Sequence, residues 1–253
     1  MDFTLKTYHH LLESLIEQGY AFQTFRDFLI HPEEKAIVLR HDVDKLPFNS
    51  LAFARIQAGR GIKGVYYFRA VPESWDEAVI KEIASLGHEI GYHYESLTTC
   101  KGNREEAIRD FEKNLAALRK LAPVNTICMH GSPMSPHDSK DLWKQCNYRD
   151  YGIIGEPYFD VDFTRVLYLT DTGRKWNGAD VSVRDKVNSE LKLNVRHTDE
   201  LIAAVSKGKL SPQVMFTFHP QRWTDSLFPW TKELFLQNLK NGVKKYFFVK
   251  KSS

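Results

Sequence analysis

The stretch AIVLRHDVDKLP (residues 36–47) runs from four apolar residues straight into a cluster of ionisable ones. Ala36-Ile37-Val38-Leu39 is a short, unbroken apolar run, the pattern of a strand covered on both faces. Strand side chains alternate, so Asp42 and Asp44 leave the same face. Two carboxylates on one face repel unless a cation or a proton lies between them. A solvated turn is one explanation for His41, Asp42 and Asp44 at the end of such a strand. A metal site with a neighbouring base is the other, and the rest of the chain has to decide.

The pattern recurs along the sequence. GVYYFRA (64–70), HEIGYHYE (88–95), NTICMHG (125–131) and QVMFTFHPQRW (213–223) have the length and residue types of strands. Between them lie amphipathic helices, SWDEAVIKEIASLG (74–87) and NREEAIRDFEKNLAALRKLAP (103–123), with TDELIAAVSKG (198–208) further on. YGIIGE (151–156), RVLYLTDTG (165–173) and ELKLNVRH (190–197) are expected as further strands with loops between them. Residues 5–29 have helical spacing, with Gly19 ending the first helix; about residues 1–30 are expected as a helical extension of a single domain spanning 1–253. Strands alternating with helices predict an α/β fold with a parallel sheet, long enough here to curl into a barrel.

Bulk properties narrow the function. With 42% hydrophobic and 26% charged residues the chain has ordinary globular composition. A net charge of +3, spread along the chain, gives no footprint for nucleic acid; the basic end VKKYFFVKKSS (243–253) is read as a solvated helix or tail. Cys100, Cys128 and Cys146 form no C-x-x-C pair, so no thiolate zinc site and no disulfide framework is signalled. The N-terminus lacks a basic start followed by an apolar segment, and no run approaches the ~18 apolar residues of a membrane span. A cytoplasmic chain is expected.

The ionisable residues collect where strands end: His41, Asp42 and Asp44; His93 and Glu95; His130; Asp171; His197; His219. In a parallel α/β barrel all these ends open onto one face, where active sites form. His88 precedes the ligand strand face and is expected to be structural.

In that order, RHDVD (40–44), GHEIGYHYES (87–96) and FTFHPQRW (216–223) resemble the motifs of the polysaccharide deacetylase (carbohydrate de-N-acetylase) superfamily, in the branch with an HDVD first motif. The resemblance covers roughly residues 35–225. It implies a distorted, incomplete parallel (β/α) barrel of seven strands rather than eight. It also implies a divalent metal, most often Zn²⁺, and hydrolysis of an N-acetyl group from a sugar. By position Asp42 resembles the general base, Asp44 the metal-ligating aspartate, His93 the first metal-ligating histidine and His219 the general acid. The family's second motif has another histidine four residues after the first, and Leu97 stands there. His130, at the end of CMHG, is the first substitute for the missing ligand, Glu95 the second and His197 the third. Alternatively His130 braces the base, where the family's third motif has an arginine. Arg222, Trp223 and Trp176 are expected to support substrate, the tryptophans by stacking on a sugar and the arginine by binding an anion. Each tryptophan has a core-packing reading as well.

The chemistry fits these residue types. A divalent metal polarises an amide carbonyl and lowers the pKa of bound water toward about 7. A catalytic site keeps three protein ligands and one open position, which Asp44 and two histidines supply. The leading expectation is a metal-dependent de-N-acetylase acting on a sugar intermediate of surface glycan synthesis. The alternatives are a cyclic amide or ureide hydrolase on the same scaffold, and a metal-free scaffold that only binds a glycan or a partner.

Overall fold

The structure is a computed structural model describing residues 1–132, 135–176 and 187–244. Its centre is β2 (Ala36–Val43), the strand of the opening motif, whose eight residues are all buried. One edge of β2 pairs in parallel with β7 (Gln213–Phe218), from Ala36 beside Gln213 to His41 beside Phe218. Two short strands share its other edge: β1 (Ala21–Gln23) lies beside Ala36–Val38, and β3 (Val65–Phe68) beside Arg40–Val43. Beyond β3 come β4 (Glu89–Tyr94) and β5 (Val124–Met129), and beyond β7 comes β6 (Val166–Thr170). All seven strands are parallel. The sheet stays open between β5 and β6, so the fold is the incomplete seven-stranded (β/α) barrel expected.

Strand alternation divides the side chains into two environments. The outer face carries Ile37, Leu39, Tyr66, Phe68, Ile90, Tyr92, Ile127, Phe216 and Phe218. Helices cover it with their apolar stripes: α1 (Leu5–Glu17) with Tyr8, Leu11, Leu12 and Leu15; α3 (Pro47–Ala58) with Leu51 and Phe53; α4 (Glu77–Ser85) with Val79, Ile80 and Ile83. Further along, α6 (Arg104–Arg119) contributes Phe111 and Leu115, and α8 (Thr198–Ser206) contributes Leu201 and Val205. The inner face carries Ala36, Val38, Val65, Tyr67, Cys128 and Met215, packed on Phe25 and Phe28 of α2 (Phe25–Ile30). Gly91 belongs to this face because a Cβ there would lie 2.3 Å from the Tyr67 ring, whose hydroxyl bonds to Thr126 at 3.1 Å.

Several expectations need correction. The N-terminal segment is not purely helical: α1 stops at Glu17, Gly19 turns the chain at φ +75°, and residues 21–23 join the sheet as β1. YGIIGE forms no strand, because only a single bridge joins Gly155 to Thr126. ELKLNVRH is not a strand either; it leads into α8, whose N-cap is His197. Asp76 caps α4, and Ser74, just before it, donates to the Val43 carbonyl where β2 ends. The residues of VKKYFFVKKSS from 245 onward lie outside the described residues. Among the described residues no helix is long and apolar enough to cross a membrane.

Glu156 pins α7 (Pro157–Asp160) to the end of β5, accepting from the backbone N–H groups of Met129 (3.1 Å) and Tyr158 (2.6 Å). Its carboxyl is fully buried, and burial pushes its pKa up to about 7 against the opposing pull of these N–H groups and Arg40. A carboxyl whose folded pKa exceeds its unfolded value binds an extra proton in the folded state between the two. The stability it adds is complete below about pH 4.5 and is lost as the pH rises through 7. In urea unfolding at a series of pH values, the free energy of the parent relative to Glu156→Gln should decline across this window, at a slope of up to about 1.4 kcal/mol per pH unit. Glu89, which burial also pushes up to about 7, keeps its own share of the pH dependence in both proteins, so the difference between them isolates Glu156.

Candidate metal centre

Asp44 follows β2 on the face already occupied by Arg40 and Asp42, where the sheet opens. Its Oδ2 accepts from Gln221 Nε2 at 2.9 Å. Its Oδ1 is buried and has no hydrogen-bond partner. Two imidazole nitrogens face that oxygen: His93 Nε2 from the inner face of β4 and His130 Nε2 just past β5, each at 3.6 Å. One ligand atom from each of Asp44, His93 and His130 lies within 4.8 Å of the others. Burial raises the Asp44 pKa, but the His93, His130 and His219 rings outweigh it and hold the carboxyl well below the usual range.

The other nitrogen of each histidine is anchored. His93 Nδ1 donates to the Cys128 carbonyl at 2.9 Å, across the β4–β5 pairing. His130 Nδ1 donates to Glu95 Oε2 at 2.9 Å. Both rings therefore turn Nε2, with its lone pair, toward Asp44. Glu95 is held in turn by two bonds from Arg69, at 2.9 and 3.0 Å, and Arg69 also donates to the Asp44 carbonyl at 3.1 Å. Burial raises the Glu95 pKa, but His130 and Arg69 outweigh it and lower it, which keeps the acceptor anionic. A carboxylate behind a histidine that faces a ligand position fixes the tautomer and ring angle that a metal site needs. An unpartnered buried carboxylate oxygen and two anchored imidazoles are a donor set that fits a borderline divalent cation.

Asp42 lies beside this cluster, its Oδ2 3.8 Å from His93 Nε2. Arg40, two residues back on the same face, holds both its oxygens: Nε donates to Oδ1 at 2.8 Å and Nη2 to Oδ2 at 2.6 Å. Asp42, His93 and Cys128 also come together as three potential ligands. That second set shares His93 with the first, and its carboxylate is engaged by Arg40 on both oxygens. His41 points the other way, into the outer core. There Nδ1 bonds the Val65 carbonyl, Nε2 meets Gln57 at 2.9 Å, and the ring stacks on Tyr66 at 4.1 Å. Burial lowers its pKa to about 3, so it is a neutral packing residue. His88 is structural as expected, bonding Gly64 N and the Ala54 carbonyl.

His219 follows β7, and Asp171 follows β6 beside it. The carboxylate of Asp171, 0% exposed, accepts from His219 Nδ1 at 2.5 Å, His219 N at 2.9 Å, Arg222 Nη1 at 2.8 Å and Trp223 Nε1 at 2.7 Å. Burial would raise its pKa, yet His219 and Arg222 outweigh burial and lower it. The His219 ring is thus fixed with its Nδ1 proton on Asp171 and Nε2 free of it.

Several site expectations change. Trp223 and Trp176 are no platforms for sugar: they are 1% and 3% exposed, packed against each other and Phe218, with Trp176 Nε1 bonded to Thr198. Arg222 does line the mouth, but Nη1 serves Asp171. Leu97 is 3% exposed in the outer hydrophobic cluster, turned away from the ligand atoms. His197 is exposed at the start of α8 near Asp2, remote from the cluster in function and not part of it. Glu95 serves His130 instead of joining the ligand atoms. Arg40, Arg69 and Gln221 went unassigned in the sequence, though each stands two residues from a residue of the motifs or on the same strand face. A cleft of about 380 Å³ opens above Asp44 and His130, lined further by Lys45, Arg69, Glu73 and Arg222.

No protein-family model matches the chain, and no curated protein matches its sequence. Solved structures match in shape. A CE4 family pseudoenzyme from Bacillus anthracis is 17% identical over 85% of this chain and 63% of its own, with a TM-score of 0.46. A CE4 esterase from Streptococcus mutans is 14% identical over 90% and 89%, with a TM-score of 0.45. A family 4 carbohydrate esterase from Bacillus anthracis is 10% identical over 96% and 92%, with a TM-score of 0.44. The chain thus spans less than two thirds of the first of these. At such identities and overlaps the likeness carries no chemistry, and the site is read from its own residues.

The Arg40–Asp42 pair gives a direct test of how the site is held. Both side chains are buried, so Arg40→Met strands an unpaired carboxylate and should cost about 3–5 kcal/mol in denaturant unfolding. Adding Asp42→Asn to that variant should restore more than half of the loss, because the stranded charge is then gone.

Proposed function

We propose that this protein is a divalent-metal-dependent hydrolase that removes the N-acetyl group from an amino sugar or a sugar-containing intermediate of surface glycan synthesis. Asp44, His93 and His130 hold the cation, with Zn²⁺ the best match to one oxygen and two nitrogens. The observation that carries this reading is Asp44 Oδ1, buried without a partner and faced by two imidazole nitrogens whose opposite nitrogens are anchored. When bound, the cation polarises the acetyl carbonyl and makes water acidic enough to attack near neutral pH.

Asp42 is the base that takes the proton from the attacking water. Arg40 aims its carboxylate through contacts to both oxygens. His219 is the acid: its Nε2 delivers a proton to the departing amine, which leaves poorly as an anion. Asp171 holds the Nδ1 proton, so the ring gives and regains its proton only at Nε2. Arg222 and Trp223 act through Asp171, fixing the acid's orientation rather than touching the sugar.

Elemental analysis of the purified protein, with acetate release measured on nucleotide-linked and lipid-linked N-acetyl sugars, tests the whole reading. Asp44→Ala, His93→Ala and His130→Ala should each weaken metal binding at least ~10-fold in a competition titration, the scale for loss of one ligand or its support. Asp42→Asn should keep the metal and lower kcat by ~10²-fold or more. Full metal occupancy in His130→Ala would remove that residue from the ligand set. Release of a ring-opened acid instead of acetate would shift the substrate to a cyclic amide, and a metal-free wild-type protein would overturn the hydrolase.

A further inference from the structure

The last described helix, α9 (Leu227–Lys244), packs with its polarity inverted. Its inward stripe is Trp230, Glu233, Gln237 and Asn241, at spacings of three and four residues. Trp230 Nε1 donates to the Asp2 carbonyl at 2.6 Å, and Asn241 Nδ2 to the Gly173 carbonyl at 2.9 Å. Gln237 is 5% exposed, and Glu233 lies 3.6 Å from Lys45 at the rim of the cleft. The outward stripe is apolar: Phe228, Phe235 and Leu239 are 78%, 73% and 60% exposed, with Leu227 and Leu236 beside them. A helix normally buries its apolar stripe and exposes the polar one, and a row of large exposed apolar side chains marks an interaction surface.

We propose that the outward face of α9 docks onto an anionic phospholipid bilayer. Charge selects this occupant. Within 227–244 there are three lysines, Lys232, Lys240 and Lys244, and a single acid, Glu233, which is turned toward Lys45. The sequence beyond, KYFFVKKSS, adds lysines and aromatic residues and no acid. Lys232 stands within the apolar stripe, between Phe228 and Phe235. In a pairing of α9 with its copy, that ammonium would be sandwiched with no acid on the face to meet it. At a bilayer its stem lies along the acyl boundary while the charge reaches lipid phosphates. Phe and Leu on one face of a segment whose charges are nearly all lysine is the composition of an interfacial helix. The arrangement would place α9 between the bilayer and the rim of the cleft, to which Glu233 and Gln237 of its inward stripe belong.

Sedimentation of the full chain with vesicles tests this with no recourse to catalysis, so it stands or falls apart from the metal reading. The protein should pellet with phosphatidylcholine vesicles containing about 30% phosphatidylglycerol and far less with phosphatidylcholine alone. Raising the salt from about 0.1 to 0.5 M should release it at least ~5-fold. Phe235→Ser with Leu239→Ser should lower partitioning ~10-fold or more, and Lys232→Gln several-fold on the anionic vesicles only. All three positions are exposed, so thermal melting should be unchanged and a loss of binding is not a loss of fold. Failure to pellet with the anionic vesicles, or equal pelleting of the variant and the parent, would overturn the proposal. So would a dimer in light scattering that the double substitution turns into monomer.

Discussion

A strand buried along its whole length must neutralise internally every charge it carries; β2 carries two, and a third follows directly at its end. Arg40, Asp42 and Asp44 stand at every second position, so all three leave the same face of the sheet. An unpaired carboxylate there would be driven to protonate. Arg40 offsets Asp42 with a two-point contact through Nε and Nη2. Asp44 is left with a glutamine on one oxygen and imidazoles facing the other. The sheet's alternation thus separates two neighbouring aspartates into two chemical roles. One is fixed by an arginine; the other is left open toward nitrogen ligands.

The third ligand position, a second nitrogen, comes from the adjacent strand, and strand order explains why. β4 and β5 are neighbours, and their pairing places His93 beside Cys128. Two residues further along, His130 emerges on the same face as Cys128, level with the open end of the sheet. Its distance from Asp44 Oδ1 equals that of His93. A residue four positions after His93 has no such access, because the chain has turned into the short helix α5 (Ser96–Thr99) and Leu97 packs outward. Histidine at the end of β5 needs support that β5 itself does not provide, and the Arg69–Glu95 pair supplies it from β3 and β4. Arg69 bonds the backbone of Asp44 as well as Glu95, so one guanidinium ties the oxygen ligand to the brace of a nitrogen ligand.

Much of this was legible in the residues, for a physical reason: period-two alternation in a parallel sheet marks both the strand and the face. RHDVD, GYHYE and CMHG each announce a strand end with ionisable side chains, and Asp44, His93 and His130 come together in space. What stayed hidden were partners set by topology. Nothing local says that Arg40 turns back on Asp42 rather than out to solvent. Nothing says that Trp223 spends its N–H on Asp171, 52 residues away. Tryptophans just past a site-lining strand look like sugar platforms, but the large outer core of the sheet needs aromatic volume at its rim and absorbs both. β1 was missed because three residues are too few to show a period, and ELKLNVRH alternates yet pairs with no strand among the described residues.

Periodicity also fails where it is most pronounced. α1 and α9 both show helical spacing of apolar residues, and sequence alone would bury both stripes. In α1 the stripe meets the outer face of the sheet, and Tyr8, Leu11, Leu12 and Leu15 are all 0% exposed. In α9 the inward position is claimed by polar anchors: a tryptophan N–H on the Asp2 carbonyl and an asparagine amide on the Gly173 carbonyl. The surface beneath offers carbonyls, a lysine and the rim of a charged cleft, which apolar side chains cannot satisfy. Burying Phe228, Phe235 and Leu239 there would leave those groups unpaired, at about 1–3 kcal/mol for each desolvated group. The helix therefore settles with its polar stripe inward, and the cost is an apolar face left for something other than this domain to cover.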